Sequence, residues 1–544
     1  MNPIENALKL ELQRTIKSLF SVDLSLEEIV IEVPKNSAFG DYSSNVAMRL
    51  NKQLNQAPRA LAQTIVDHVS AEFIESCSLA GPGFINFILK KTALSEIIST
   101  VVKADERYGH HPRAQGVRMN VEYVSANPTG DLHPGHARGA AIGDALTRIL
   151  RAAGYEVSRE YYLNDAGNQI TNMARSLRAR YLQALNQTAV VPEDGYHGQD
   201  MIDIAQQLID EVGDRYLTMD EASSLEAFRA YGLEKETQKL KDDLAMFRVE
   251  FDVWSSEQSL YDRGLVDDVL KVLDTKGVTY EADQALWLKT SAYGDDKDRV
   301  LRKSDGSYTY IVPDIAYHRD KKERGFDVLV NLWGADHHGY IARLQAAMMS
   351  LGYERDAVQV DIIQMARMIK DGQEFKLSKR TGKAVALKDL IEAAGVDAVR
   401  YYFVSKAGDT HMDLDLDMAA SKSQDNPVYY AQYAHARMCS ILRQAPLELP
   451  VQYDRIDHPK EVELLKVMAD FPQLILDAAQ TRQPHLLCTY LQKLAANFHS
   501  FYGECQVLHE DLDLRAQRLA LVKATQITLR NALTLIGVDA PERM

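Results

Sequence analysis

Residues 125–146 read SANPTGDLHPGHARGAAIGDAL and set two histidines, His133 and His136, at the mouth of a helix. Pro134 suits the first turn of that helix and Gly154 its stop. Before it runs VRMNVEYV (117–124) and after it YEVSREYYL (155–163), both strand candidates. Strand, loop, helix and strand form a βαβ unit, the seed of a doubly wound α/β sheet. Three uses of the histidine pair compete. A metal would need a third ligand, and neither a cysteine nor another ligand is adjacent. An isolated pair could simply pack. The setting favours a phosphate: a helix N-terminus offers unpaired N–H groups and a positive dipole end, and Gly135, Ala137, Gly139 and Ala140 let a nucleotide approach the backbone. Imidazole N–H groups can donate there without adding a fixed charge.

A second stretch, DGQEFKLSKRTGKAVALKDLI (371–391), places Lys376, Ser378, Lys379 and Arg380 on a loop after a Gly turn, with a helix from about Leu387. Alone this is a solvated basic loop. Paired with the histidine turn in an α/β framework, it reads as a lysine loop closing on a triphosphate.

The rest of the chain fits around these two stretches. With 544 residues, 46% hydrophobic and 26% charged, it can bury several cores. A formal net charge of −15 argues against a protein that coats nucleic acid through a broad basic surface, but not against local basic patches. Cys77, Cys439, Cys488 and Cys505 lie far apart and form neither a metal knuckle nor a disulfide framework, which points to a reducing cytoplasm. No run is apolar enough for a membrane span or a signal peptide. Residues 1–110 mix helical stripes with short strands, and the polar ADERYGHHPRAQG (104–116) marks a boundary. Residues 111–420 carry the α/β pattern, interrupted by a helical stretch at about 168–275. Strand-like runs then return in QALWLKT, in RVLRKSDGSYTYIV with its Asp-Gly turn, in FDVLVNLWG and in AVQVDIIQM. From Asn426, an N-cap with Pro427 behind it, residues 421–544 read as a separate all-helical bundle.

His133-Pro134-Gly135-His136 and Lys376-Leu377-Ser378-Lys379-Arg380 resemble the HIGH and KMSKS signatures of class I aminoacyl-tRNA synthetases. Pro134 departs from the usual aliphatic residue and Arg380 from the final serine; neither carries the chemistry. VEYVSANPTGDLHPGHARGAAIGD, YYLNDAGNQI, NLWGADHHGYIARLQAAMMSLGY, AGVDAVRYYF and the closing GVDAPERM are similar to arginyl-tRNA synthetases of bacterial type, as are FGDYSSNVAMRL and GPGFINF near the start. The likeness covers essentially the whole chain.

The resemblance implies a Rossmann-like catalytic domain, an N-terminal α+β domain and a helical anticodon-binding domain. It implies ATP-dependent ligation of L-arginine to tRNA(Arg) through an arginyl-adenylate, with Mg²⁺ accompanying the ATP, in the cytoplasm and as a monomer. His133, Gly135 and His136 would hold the ATP phosphates, Lys379 would neutralise the leaving pyrophosphate, and Lys376 and Ser378 would shape that loop. Asp336, His337 and His338 would line the nucleotide and arginine pocket. Glu122 and Asp314, each expected at the end of a strand, would hold the guanidinium. Asn127 would contact the substrate's backbone groups and Tyr310 would wall its side chain. Phe84 and Asn86 would meet the tRNA's outer corner, and Tyr429, Tyr430 and Tyr433 would stack on anticodon bases. No metal is expected apart from the Mg²⁺ carried by ATP. Two rivals, a small-molecule adenylate-forming ligase and a non-catalytic tRNA-binding relative, are disfavoured by the helical C-terminal domain and by the intact signatures.

Overall fold

This computed structural model describes residues 3–34, 39–112, 116–375, 385–446, 449–450 and 452–544. Lys376, Ser378 and Lys379 lie outside the described residues. The chain divides into two compact units. One comprises Met1–His111, Ser423–Leu535 and Asp539–Met544, the other Pro112–Lys422 with Ile536–Val538.

The first unit opens with α1 (Pro3–Phe20), β1 (Ile31–Glu32), β2 (Tyr42–Ser44), α2 (Val46–Leu54), α3 (Pro58–Val66), β3 (Ile74–Ala80), β4 (Phe84–Leu89) and α4 (Lys91–Ala104). The strands form an antiparallel sheet in the order β1-β2-β4-β3, on which α2 and α3 pack.

The second unit begins with β5 (Arg118–Glu122), α5 (Pro134–Ala152) and β6 (Glu156–Leu163). Next come α6 (Asn168–Ala184), α7 (Gln199–Val212), α8 (Glu221–Met246), β7 (Val253–Ser256), α9 (Glu257–Asp262) and α10 (Leu265–Thr275). A small antiparallel sheet of β8 (Thr279–Ala282), β9 (Ala285–Leu288) and β10 (Arg299–Arg302) precedes α11 (Ile311–Glu323), β11 (Val328–Gly334), α12 (Ile341–Ser350) and β12 (Val358–Ile363). The unit ends with β13 (Ala366–Lys370), β14 (Gln373–Glu374), α13 (Leu387–Ala394), α14 (Val396–Val404), β15 (Met412–Asp415) and α15 (Leu416–Ala420).

Five strands make one parallel sheet in the order β12-β11-β5-β6-β7. The chain runs outward from β5 in one direction and from β11 in the other. The carboxyl ends of β5 and β11 therefore border the crevice where doubly wound sheets bind ligands. Two expectations need correction. The stretch at 168–275 is not wholly helical, because Val253–Ser256 adds the edge strand β7. It is only four residues long, and its helical flanks mask it. Nor is YTYIV a strand: beyond one bridge between Arg302 and Tyr308, the chain turns into α11 with Tyr310 as its N-cap residue. Pro313 sits in that helix's first turn, where its missing N–H costs nothing.

The chain closes with α16 (Pro427–Gln444), α17 (Pro459–Thr481), α18 (His485–Glu504) and α19 (Leu512–Leu535). These helices, expected as a separate domain, share a unit with the N-terminal sheet: α4 packs against α17 and α19, and Lys466 pairs with Asp41 at 2.8 Å. Pro472 lies inside α17 and cannot donate to the carbonyl of Met468 one turn earlier. The Tyr108 hydroxyl donates to that carbonyl at 2.7 Å instead, and His111 Nε2 donates to the Pro472 carbonyl at 2.7 Å. Gly109 lies between them at φ +96°, where a Cβ would come within 2.6 Å of Phe471 and Ile475. Tyr108→Phe keeps the ring but leaves a buried carbonyl unpaired. The expected loss is about 1–2 kcal/mol in denaturant unfolding of this unit. A loss below about 0.3 kcal/mol would mean that the carbonyl is satisfied without Tyr108.

Candidate active site

The site is organised by α5. Its residues from Ala137 to Ala152 are buried with few exceptions, and most are small. Gly143 is one reason it can lie so close to the sheet: a Cβ there would fall 2.3 Å from the Tyr123 ring. The fully buried Arg138 donates to the carbonyls of Gln364, Ala407 and Thr410 at 2.7–2.9 Å. Farther along, Asp144 pairs with Arg400, both at 0% exposure, and accepts from Arg148 at 2.7 Å. The helix is thus fixed along its length while its N-terminus faces a cavity of about 820 Å³.

His133 is the N-cap of α5. Its Nδ1 accepts from the backbone N–H of Gly135 (3.1 Å) and of His136 (3.3 Å), which leaves Nε2 as the protonated nitrogen of a neutral ring. His136 stacks on it with ring centroids 3.5 Å apart. Burial pushes both imidazoles down, His136 to about 3, helped by the neighbouring His133. Both rings are therefore neutral near pH 7 and can act as hydrogen-bond donors without charge. His136 Nδ1 is buried and has no partner among the described residues, so an acceptor in the cavity would complete it. Gly139 also lines this cavity, and a Cβ there would meet nothing within 4 Å. Asn127, Asp336 and His337 line it too, with Asn127 donating to Gln169 at 2.9 Å and His337 3.5 Å from Asp336. His338 lines neither this cavity nor the next one.

A second cavity, of about 470 Å³, shares Ser125, Asn164, Trp333 and His337 with the first. It holds three carboxylates, Glu122, Glu257 and Asp314. Glu122 ends β5 and is compensated: the fully buried Lys321 donates to its Oε2 at 2.6 Å and Ser125 Oγ to its Oε1 at 3.1 Å. Behind them, Glu160 accepts from Arg324 at 2.8 and 2.9 Å, from Asn120 at 2.6 Å and from Ser255 at 2.6 Å. Burial alone would raise Glu160, but Lys321 and Arg324 outweigh it and hold the group down to about 2. The loop after β5 takes left-handed backbone at Val124 (φ 69°) and Ser125 (φ 43°), rare for a β-branched residue. Ser125 Oγ accepts from the Tyr162 N–H at 3.1 Å, which ties this loop to β6.

Asp314 is not at a strand end. It sits in the first turn of α11, three residues past the first helical residue, so it does not cap that helix. A carboxylate there is still favoured by the helix dipole. Tyr340 donates to it at 2.5 Å. Burial pushes its carboxyl up to about 7, and Glu122 and Glu257 add to the rise while Tyr340 opposes it. Tyr310 borders this cavity at its rim, 88% exposed. Sequence reasoning missed Glu257, Tyr340 and Lys321. Glu257 follows β7 directly, so it was hidden with that strand; its carboxyl is raised by burial and hydrogen-bonded with Tyr162.

The other expected residues lie in the first unit. Asn86 is buried in β4 between Ser43 and Ser78, which leaves its side chain little surface to offer, whereas Phe84 is half-buried. Tyr429, Tyr430 and Tyr433 are half-buried on α16. Tyr429 stacks on Tyr433 (6.2 Å, 13°), His499 approaches Tyr430 and Tyr433, and the Arg437 guanidinium lies 4.7 Å over Tyr502.

Family models match three successive parts of the chain: the arginyl tRNA synthetase N-terminal domain at 6–89, the class I (R) tRNA synthetase catalytic domain at 97–406 and the DALR anticodon binding domain at 431–544. The arginine–tRNA ligase of Bacillus cereus is 52% identical over 555 residues, covering 100% of both chains. That of Bacillus subtilis is 50% identical over 99% of each. The fold matches the Thermus thermophilus arginyl-tRNA synthetase structure with a TM-score of 0.77, at 24% identity, over 99% of this chain and 100% of that one. With a histidine-capped helix at the switch point of its sheet and a carboxylate-lined pocket beside it, the chain belongs to the arginyl-tRNA synthetase family.

Proposed function

We infer that the protein is an arginine–tRNA ligase. One observation carries this reading: a pocket of three carboxylates, one of them compensated by a lysine, opens into a cavity at the N-terminus of a fixed helix. A guanidinium is planar, permanently charged and rich in donors, and it calls for carboxylates. A triphosphate calls for N–H donors at a helix start. In the first step the arginine carboxylate attacks the α-phosphorus of ATP, and pyrophosphate leaves with the displaced electron pair. In the second a hydroxyl of the tRNA's terminal adenosine attacks the activated carbonyl and AMP leaves. Mg²⁺ enters with ATP and offsets phosphate charge.

The protein's own part is positioning and electrostatics. His133 and His136, with the first amides of α5, hold phosphate oxygens with neutral donors. Asp336 and His337 border the nucleotide. Asp314 pairs with the guanidinium above Glu122, Asn127 receives the substrate's backbone groups, and Tyr310 folds over the side chain. Lys379, flanked by Lys376 and Ser378, offsets the pyrophosphate charge. The half-exposed Tyr429, Tyr430 and Tyr433, with Arg437 nearby, suit stacking of unpaired anticodon bases, and Phe84 suits docking at the tRNA's outer corner. The enzyme works in the cytoplasm as a monomer. Arginine-dependent pyrophosphate exchange and charging of total tRNA test the assignment; charging with another amino acid in preference to arginine would overturn it.

Asp314 makes the reaction pH-dependent in a defined direction. Its folded-state carboxyl titrates at about 7, and cationic arginine binds the ionised form. The KM for arginine should therefore be low at pH 8 and about tenfold higher at pH 6, as protonation removes the countercharge. Asp314→Asn should flatten this profile and raise KM by the worth of a charged hydrogen bond, ~2–5 kcal/mol. It should also weaken discrimination against lysine. A KM within twofold of wild type would remove Asp314 from the pocket.

Gly139→Ala separates folding from binding. Alanine gains roughly 0.5–1 kcal/mol in a helix interior, and its Cβ would meet no protein atom within 4 Å. Thermal stability should hold or rise, while the KM for ATP rises at least fivefold because the methyl enters the nucleotide cavity. An unchanged KM for ATP would place the nucleotide away from Gly139.

A further inference from the structure

Helix α8 carries a row of charged side chains that the mechanism above leaves unused. Glu236, Lys239 and Asp243 follow at three- and four-residue intervals and so share one face. Glu236 is fully buried and Asp243 is 3% exposed. Neither oxygen of Glu236 has a hydrogen-bond partner among the described residues; its nearest cation is Lys239, at 3.9 Å. Such burial is costly for a carboxylate unless its charge serves a neighbour.

The row reaches both arms of the nucleotide site. Lys239 Nζ lies 2.7 Å from Asp131 Oδ1, and Asp131 stands two residues before His133 on the wall of the phosphate cavity. Asp243 Oδ1 lies 2.8 Å from Lys388 Nζ, in the first turn of α13, the helix that follows the lysine loop in sequence. The two anchored segments also touch directly: the Leu387 N–H donates to the Leu132 carbonyl at 2.7 Å. One helix thus grips the loop before the histidines with a lysine, and the start of α13 with an aspartate. Glu236 beside Lys239 keeps that ammonium charged and in place, since burial lowers a lysine while Glu236 and Asp131 raise it.

We propose that Lys239 and Lys388 are positioning residues for adenylate formation: through Asp131 and Asp243 they hold the loop before the histidines and the start of α13 against α8, so that His133 and His136 meet the triphosphate in a fixed position. This rests on the synthetase reading above. Asp131 and Lys388 are half-exposed, but Glu236 and Asp243 are buried, so each lysine variant is read beside its melting temperature and its arginine counterpart.

The test measures arginine-dependent pyrophosphate exchange, with tRNA and MgATP, for Lys239→Met, Lys388→Met, Asp131→Asn and the conservative Lys239→Arg and Lys388→Arg. Each methionine variant and Asp131→Asn should lower the kcat for exchange at least tenfold, with the KM for arginine within twofold of wild type. The arginine variants should recover most of the rate. Transfer of arginine from preformed adenylate to tRNA should stay within threefold, because that step no longer needs the triphosphate clasp. Exchange within twofold of wild type in both methionine variants would overturn the proposal. So would a loss matched by a fall in melting temperature and not rescued by arginine, which marks a merely structural pair. Wild-type protein that supports no arginine-dependent exchange would instead overturn the synthetase reading itself.

Discussion

The buried ion pair between Asp144 and Arg400 fixes the helix on which everything else depends. Both side chains are fully buried, and Arg400 also donates to the carbonyls of Phe247 and Ile536. Gly537 makes room for it, since a Cβ there would overlap the guanidinium. Desolvating two charges rarely adds net stability over an apolar pair. What it adds here is a defined position for α5 relative to α14. Arg138, three carbonyls wide in its reach, does the same one and a half turns earlier. A helix start can cradle phosphate only if the helix cannot retreat, and α5 is anchored from both sides by side chains that tolerate no slip.

That rigidity divides the crevice into two electrostatic halves. At the α5 end, donors are neutral: His133 has spent its Nδ1 on capping, and His136 is held uncharged by burial. At the β5 end, three carboxylates line the pocket, one of them backed by the Lys321 ammonium. On the proposed reading, phosphate and guanidinium would meet different surfaces within one continuous site. An overall charge of −15 coexists with tRNA recognition on these terms. On the proposed reading, the phosphates of a bound tRNA would need local donors, such as the Arg437 and His499 groups beside the α16 tyrosines, and not a globally basic chain.

Much of this was legible in the residues alone. The small-residue helix, its proline start and the flanking strands carry their own periodicity, and the parallel sheet follows from them. Other features were hidden for physical reasons. Val253–Ser256 is four residues of edge strand among helices, too short for a period to register. Tyr308–Val312 has the aromatic and β-branched composition of a strand, but past the Tyr308 bridge the chain enters α11 at Ile311, which moved Asp314 from a strand end to a helix's first turn. The union of the N-terminal sheet with the C-terminal helices rests on Tyr108, Asp105 and Lys466 reaching partners hundreds of positions away, which no local pattern records. The lysine that compensates Glu122 is likewise 199 positions distant.

That last pairing bears on how the proposed arginine pocket would select its substrate. A resemblance alone gives Glu122 and Asp314 equal standing as partners of the guanidinium. Lys321 breaks the tie: it neutralises Glu122 from below, stacked over Tyr317 at 4.1 Å, and fixes that carboxylate as a shaped floor. The uncompensated charge is left to Asp314, with Glu257 alongside. Burial and two carboxylate neighbours push the Asp314 carboxyl up, and a cation bound beside it would favour its ionised form. A guanidinium can bridge Asp314 and a fixed acceptor below it through separate N–H groups in one plane. An ammonium offers a compact point charge on a shorter stem and cannot span the two. On the proposed reading, selection of arginine over lysine would then follow from one carboxylate held still beside one that a bound cation ionises.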